Sequence, residues 1–266
     1  MEDAGEFLSA TSGAPKAWSE PRVLVYGDAK EVARAAAERF VQLCREFISG
    51  EGAFHVALSG GKTPQLLYQL LAGDEFRSQI DWSSVHVFWG DERGVPPEHP
   101  ESNYGMVRRE LLSRVSIPRK NVHRMEAERA DFEQAARDYE EILRRLLPTD
   151  AQGFPRFHLI LLGLGLDGHT ASIFPSGSGW REALGWVNVP DVESSGVRRM
   201  TLNLSVLNAA YRVIFLVTGD NKADILRRVV KDREQRLPAQ CVRPVEGELL
   251  FVVDAAAGAR LRGTAP

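Results

Sequence analysis

The chain has little of what several classes of protein require. Only 2 of its 266 residues are cysteine. Cys44 falls inside an amphipathic helical pattern and Cys241 follows a Pro-Ala-Gln turn, so neither a disulfide framework nor metal-ligand spacing is present, and a reducing compartment is expected. No apolar run approaches the roughly 20 residues a membrane span needs. Residues 1–20 are acidic and rich in Ser and Gly, not basic and then apolar, so no leader is expected and the cytoplasm is the default address. Positive charge is not in excess: 33 Lys and Arg stand against 36 Asp and Glu, a net charge of −3. No overall basic field would hold a nucleic acid or an anionic membrane, so any cation that matters must act locally. Repeats and low-complexity tracts are missing after residue 20. A hydrophobic share of 44% with 26% charged residues excludes a wholly disordered or fibrous chain.

What is present alternates. Arg22–Gly27 is a short β-rich run closed by glycine; Asp28 then offers a helix N-cap with Glu31 three residues on, and Val32, Ala36, Phe40, Leu43 and Phe47 recur at helical steps until Gly50. Apolar runs at Phe54–Leu58, Val85–Trp89, Phe157–Leu162, Tyr211–Val217 and Leu249–Val253 are separated by helical patterns near Pro64–Leu71, Ser102–Arg114, Ala130–Leu147 and Lys222–Lys231. Buried strands with helices between them pair in parallel, so the chain reads as an α/β protein with a doubly wound, mostly parallel sheet and helices on both faces. Gly153, Pro155 and the polar stretch 191–199 read as loops too short for an interdomain linker. The expected organisation is a flexible tail over residues 1–20 and a single α/β catalytic domain over 21–266.

In such sheets ligands collect beyond the carboxyl ends of the strands, where loops enter helix N-termini. Ser59-Gly60-Gly61-Lys62-Thr63-Pro64 follows a strand and opens a helix predicted to start at Pro64 with Thr63 as its cap. Paired glycines let backbone approach an oxyanion, and the Ser59 and Thr63 hydroxyls add donors, so the segment suits a phosphate. It lacks Walker and G-x-G-x-x-G spacing, which leaves nucleotide binding unindicated, and it also reads as an ordinary strand–helix turn. Gly90-Asp91-Glu92-Arg93 places two carboxylates and a guanidinium at a strand end, either a charged surface turn or a cleft wall continued by Pro96–Tyr104. Asp167-Gly168-His169-Thr170 follows the most apolar strand, with Gly163, Gly165 and Gly168 clearing side chains from around it. An imidazole two residues from a carboxylate is what a general base requires, although a capping histidine is the alternative. His55, His86, His158 and His123 sit by strand starts or apolar patches and read as structural. Arg198, Arg199 and Lys222, delivered from two further loops, would neutralise a dianion without making the whole chain basic.

Taken together, Leu58–Pro64, Gly90–Arg93 with His99–Tyr104, Leu162–Pro175, Leu207–Ala210 and Gly219–Ala223 closely resemble the corresponding blocks of the 6-phosphogluconolactonase family, and more distantly the glucosamine-6-phosphate deaminases. The resemblance spans residues 22–261 and departs at Leu166, where relatives carry a small or acidic residue. It implies the Rossmann-like fold of the deaminase/isomerase superfamily. It also implies hydrolysis of 6-phospho-D-glucono-1,5-lactone to 6-phospho-D-gluconate in the oxidative pentose phosphate pathway, without metal or organic cofactor. By the same resemblance the phosphate would lie on Ser59, Gly60, Gly61 and Thr63 with Arg199, or Arg198 in its place, and Lys222. The ring would reach Asp91, Arg93 and His169. His169 would activate water, Asp167 would fix its tautomer, and Arg93 or the N–H groups near Gly165 and Gly168 would hold the oxyanion. The expected partner is a small phosphosugar lactone, with no nucleic acid and no membrane, acting on a monomer or weak homodimer. Deaminases follow Asp-Gly-His with a stretch supplying a further carboxylate; Thr170–Pro175 has none. A sugar-phosphate sensor would not need the Asp167–His169 pair.

Overall fold

The computed structural model describes residues 21–177, 185–190, 196–232, 234 and 236–261. The tail expected over 1–20, and residues 191–195 of the expected polar loop, lie outside the described residues. In chain order the strands are β1 (Arg22–Tyr26), β2 (Phe54–Leu58), β3 (Val85–Trp89), β4 (Asp91–Arg93), β5 (Leu159–Leu162), β6 (Val187–Asn188), β7 (Arg199–Leu202), β8 (Arg212–Val217) and β9 (Glu248–Asp254). The α-helices are α1 (Ala29–Glu51), α2 (Lys62–Ala72), α3 (Asp74–Arg77), α4 (Asn103–Val107), α5 (Phe132–Leu146), α6 (Leu204–Ala209) and α7 (Ala223–Lys231).

Six strands form one sheet in the order β1-β9-β8-β5-β2-β3, every neighbour pair parallel. The inner strand β5 is buried along its whole length, which is why its sequence reads as an unbroken apolar run. From β1 to β2 to β3 the chain moves across the sheet in one direction; from β3 through β5 and β8 to β9 it moves back. Right-handed crossovers then place α1 and α2, which pack on each other, over one face and α5 and α7 over the other. The doubly wound expectation is therefore met. The reversal falls between β2 and β5, whose Val56 and Ala57 pair with Leu159 and Ile160, and a crevice opens beyond their carboxyl ends.

A second, antiparallel sheet in the order β4-β7-β6 was not legible in the sequence. Asp91-Glu92-Arg93 is a strand paired with Arg199–Thr201, not a turn, and three charged residues carry no apolar period to reveal it. The sheet is stitched to the main one where the Gly90 N–H donates to Leu58 O at 2.9 Å and the Leu202 N–H donates to Gly90 O at 2.8 Å.

Helix ends follow local chemistry. Asp28 caps α1 by accepting from the Lys30 and Glu31 N–H groups at 2.8 and 2.9 Å, and Glu31 accepts from Gly27 at 2.7 Å. The helix stops at Gly52, with φ 79°, not at Gly50 as its periodicity suggested. α2 begins two residues before Pro64: Gly61, at φ 104°, is its cap residue, a backbone shape that disfavours any side chain. Thr63 therefore lies inside the first turn and does not cap. The pattern predicted as one helix over 102–114 is α4 capped by Ser102, followed by a π-helical turn at Arg108–Leu112.

Candidate active site

The loop after β2 is held from beneath. The Tyr68 hydroxyl, fully buried, donates to Ser59 O at 2.8 Å and accepts from the Ser59 N–H at 3.1 Å. Ser59 itself is buried, yet its Oγ has no hydrogen-bond partner in the protein, an expensive state for a hydroxyl unless a ligand completes it. A Cβ at Gly60 would overlap the Asn103 amide, so glycine there is what lets the loop meet α4. Beyond Gly61 the first N–H groups of α2 have no partner inside the helix and carry its positive dipole end.

β4 supplies the opposite wall. Asp91 is buried; Ser172 donates to its Oδ2 at 2.7 Å, and Asn103 Nδ2 donates to its backbone O at 2.9 Å and its Oδ1 at 3.3 Å. Glu92 is buried on the other face, where it accepts from the N–H groups of Arg93, Asn103 and Tyr104 and from the Ser102 hydroxyl. Burial pushes its carboxyl up and those backbone donors only partly oppose it, so Glu92 ties β4 to α4 and faces away from any ligand. Arg93 and Arg199 are cross-strand partners, and the Nε of each is buried without a partner. Burial, and then the like charge of Arg93, draw the Arg199 guanidinium below its ordinary value, with Asp91, Glu101 and Glu92 opposing. Strand alternation sends Arg198 the other way, its guanidinium 4.0 Å over the Phe132 ring.

The loop after β5 is built around its histidine. The Gly165 N–H donates to His169 O at 2.9 Å and the Thr170 hydroxyl donates to Gly163 O at 2.9 Å. His169 Nδ1 lies 2.6 Å from Asp167 Oδ1, which also accepts the His169 N–H at 3.0 Å. The carboxylate thus accepts a hydrogen bond from Nδ1–H, which leaves Nε2 as the nitrogen free to take a proton. Partial burial alone would raise the Asp167 carboxyl, but the hydrogen bonds and charge of His169 outweigh it and hold it below its ordinary value. A Cβ at Gly165 would overlap the imidazole and the Asp167 carboxylate, so that glycine makes the pair possible. The Phe174 ring sits 4.6 Å from the imidazole. From β8, Lys222 donates to Leu164 O at 2.7 Å; burial draws its ammonium below the ordinary value and Asp167 opposes. Asp254 fixes that turn by accepting the Gly219 N–H with both oxygens, at 3.1 and 3.0 Å.

These walls enclose one open cleft of about 570 Å³ at the sheet's switch point, a volume typical of small-ligand sites. Ser59, Gly60, Gly61, Asp91, Arg93, Asp167, His169 and Lys222 all line it. Of the remaining expected residues, Arg199 stands beside Arg93 as its strand neighbour, and the Thr63 hydroxyl is hydrogen-bonded to Thr218 Oγ1 at 2.7 Å. The cations Arg93, from the end of β4, and Lys222, from the turn after β8, both reach the cleft, so a positive site exists within a chain of net charge −3. Sequence reasoning missed Tyr68, Asn103, Ser172, Phe174 and Asp254. Asn103 and Ser172 lie within the motif blocks, but which partner each meets is set by the fold. Among the described residues no three His, Cys, Asp or Glu side chains gather to hold a metal, and no helix is long and apolar enough to cross a membrane.

The family model described as glucosamine-6-phosphate isomerases/6-phosphogluconolactonase matches residues 27–251. A 6-phosphogluconolactonase of Synechocystis sp. is 41% identical over 217 residues, 81% of this chain and 88% of that protein. One from Haemophilus influenzae is 37% identical over 205 residues, 76% and 85% of the two chains. Among solved structures, the 6-phosphogluconolactonase of Trypanosoma brucei superposes with a TM-score of 0.81 at 29% identity, covering 92% of this chain and 100% of that one. With the switch-point cleft, the Ser-Gly-Gly turn that lines it and the anchored imidazole in place, these matches establish that the chain belongs to the glucosamine-6-phosphate isomerase/6-phosphogluconolactonase family.

Proposed function

We propose that the protein hydrolyses 6-phospho-D-glucono-1,5-lactone to 6-phospho-D-gluconate, the ring-opening step of the oxidative pentose phosphate pathway. The observation that carries this reading is the His169 imidazole, anchored through Nδ1 to Asp167 at 2.6 Å and lining the same cleft as the Ser-Gly-Gly turn and Lys222. The phosphate dianion rests on Ser59, Gly60 and Gly61 at the N-terminus of α2, with Lys222 supplying charge in the cleft and Arg199 adding to it from beside Arg93; Thr63, expected here, is bonded to Thr218 instead. That anchor sets the lactone carbonyl against the imidazole. Nε2 takes a proton from water as its oxygen bonds to C1; the tetrahedral intermediate then breaks the bond from C1 to the ring oxygen, and the imidazolium returns the proton to that oxygen. Asp167 holds the tautomer and balances the transient positive charge. Arg93, whose Nε has no protein partner, or the loop N–H groups at Gly165 and Gly168, stabilise the oxyanion, an effect of about 3 kcal/mol for one well-placed donor.

Deamination of glucosamine 6-phosphate is disfavoured by the segment after the histidine, where the side chain against the imidazole is the Phe174 ring and not a carboxylate. A monomer or weak homodimer and a cytoplasmic address are parts of the same proposal. The deciding experiment monitors freshly generated lactone spectroscopically, corrected for spontaneous hydrolysis. Acceleration of that decay supports the reading. Ammonia released from glucosamine 6-phosphate would replace it with the deaminase reading, and binding of 6-phosphogluconate with lactone decay at the background rate would replace it with a sensor.

A further inference from the structure

One buried carboxylate links three walls of the cleft. Asp91 on β4 accepts the Ser172 hydroxyl at 2.7 Å on Oδ2 and the Asn103 amide at 3.3 Å on Oδ1. Asn103 in turn packs so closely on Gly60 that no side chain fits there. The loop carrying His169 is thereby tied to β4, and β4 to the Ser-Gly-Gly turn. Ser172 is fully buried and held twice: its N–H donates to Thr201 Oγ1 at 3.2 Å, and Thr201 is the strand partner of Asp91. Between His169 and Ser172 the chain passes through Ala171 at φ 49°, a left-handed conformation that costs a non-glycine residue free energy and persists only where its surroundings enforce it. The Ser172 bonds are part of those surroundings, together with the turn closed by the Ile173 N–H donating to Thr170 O at 3.0 Å. A buried carboxylate also needs its hydrogen bonds, so losing the Ser172 donor releases the His169 loop from β4, while the Asn103 amide still holds Asp91 beside the Ser-Gly-Gly turn.

We propose that Ser172 is a positioning residue: through Asp91 it sets the distance between the His169 imidazole and the β4 wall that carries Arg93. The inference rests on the hydrolase reading of the cleft, in which that distance governs attack at C1. It concerns geometry and leaves the phosphate end alone, so the effect belongs in kcat and not in KM.

The test is Ser172→Ala in the full chain, assayed on the lactone. The expected result is a kcat lower by roughly 10- to 100-fold with KM moved less than threefold, the size of loss that a misplacement near 1 Å produces. Asn121→Ala is the control: Asn121 is equally buried and bonds Ser83 O and Val85 O at 2.9 and 3.2 Å, at the far end of the sheet, and its loss should leave kcat unchanged. A Ser172→Ala kcat within twofold of wild type overturns the proposal, as does an equal loss in Asn121→Ala. The imidazole resonances of His169 provide a readout that needs no turnover: displacement in Ser172→Ala supports the link, and identical spectra overturn it. A wild-type protein silent toward the lactone overturns the hydrolase reading only, and the resonances then decide the position of Ser172.

Discussion

Lowering the pH from 7 to 5 should cost this protein roughly 3 kcal/mol of stability through imidazoles that take no part in the cleft. His55 on β2, His86 on β3, His158 before β5 and His123 beyond β3 gather at the amino end of the sheet. Ring centroids are 5.1 Å apart for His55 and His86, 5.0 Å for His55 and His158, and 5.4 Å for His86 and His123. Phe47 stacks on His158 at 4.1 Å and Phe88 on His123 at 4.5 Å. The charged groups facing the cluster are Glu51 of α1, bonded to His158 Nε2 at 3.1 Å, Lys120 near His86 and Arg145 of α5 near His123. Burial first, and the neighbouring imidazoles second, push His55 down to about 3. Burial, then His86 and Arg145, push His123 down to about 4. Burial lowers His86 and His158 as well, with Glu51 opposing at His158.

Unfolded, each ring titrates near its ordinary value of about 6.5. Between that value and the folded one, the unfolded chain holds protons that the folded chain refuses, so stability is full above about pH 6.5 and declines as the pH falls. At pH 5 the shift at His55 is worth about 2 kcal/mol. His123 is more open to solvent and, discounted for screening, adds roughly 1 kcal/mol. Glu92 runs the other way, because its raised carboxyl takes up a proton in the folded state. A loss of about 3 kcal/mol lowers Tm by roughly 6 to 12 °C in a chain of this size. Thermal unfolding monitored by circular dichroism at pH 7 and pH 5, on wild type and on His55→Gln, measures the share of one ring. The variant should lose about 2 kcal/mol less than wild type across that interval. An equal loss in both would refute the reasoning, because the acid sensitivity would then come from other groups.

Three further outcomes are expected. His169→Ala should cut kcat by about 10² to 10⁴ while leaving 6-phosphogluconate affinity nearly unchanged, whereas Lys222→Ala should raise KM; steady-state kinetics with calorimetric titration of the product separates the two, and near-full activity of His169→Ala would remove the imidazole from the mechanism. Gly165→Ala should fold yet lose up to about 10²-fold in kcat, because its Cβ would occupy the space of the imidazole and the Asp167 carboxylate; wild-type rates would show that the ring can sit elsewhere.

Much of the architecture was legible because it is written in local patterns. The run Phe157–Leu162 reads as a strand buried on both faces, and the strand begins two residues later, at Leu159; Asp28 with Glu31 reads as a helix start and opens α1. The small sheet was not legible: Asp91-Glu92-Arg93 has no apolar period, and what makes it a strand is Arg199–Thr201 lying alongside. Thr63 reads as a cap because Pro64 signals a helix start, while the positive φ that Gly61 adopts allows the helix to begin at Lys62.

In the site, residue types spoke clearly and contacts did not. Asp167 and His169 are two residues apart, so their pairing was available to inspection, and the paired glycines before Lys62 marked a turn that lines the cleft. Glu92 stands beside Asp91 in sequence as a second carboxylate at the strand end, but strand alternation turns it toward the N–H groups of residues 103 and 104.

By itself, then, the amino-acid order determined the class of fold, the loops after β2, β5 and β8 that line the cleft and the pairing of Asp167 with His169, since periodicity and short spacings are properties of neighbouring residues. Only the tertiary structure decided that Ser172 closes on Asp91 across 81 residues, that Asn103 meets Gly60 and that Arg93 stands beside Arg199. Those contacts result from β5 lying next to β2 and from a small sheet pairing distant segments, and such pairings arise from the packing of the whole core, which no local pattern specifies.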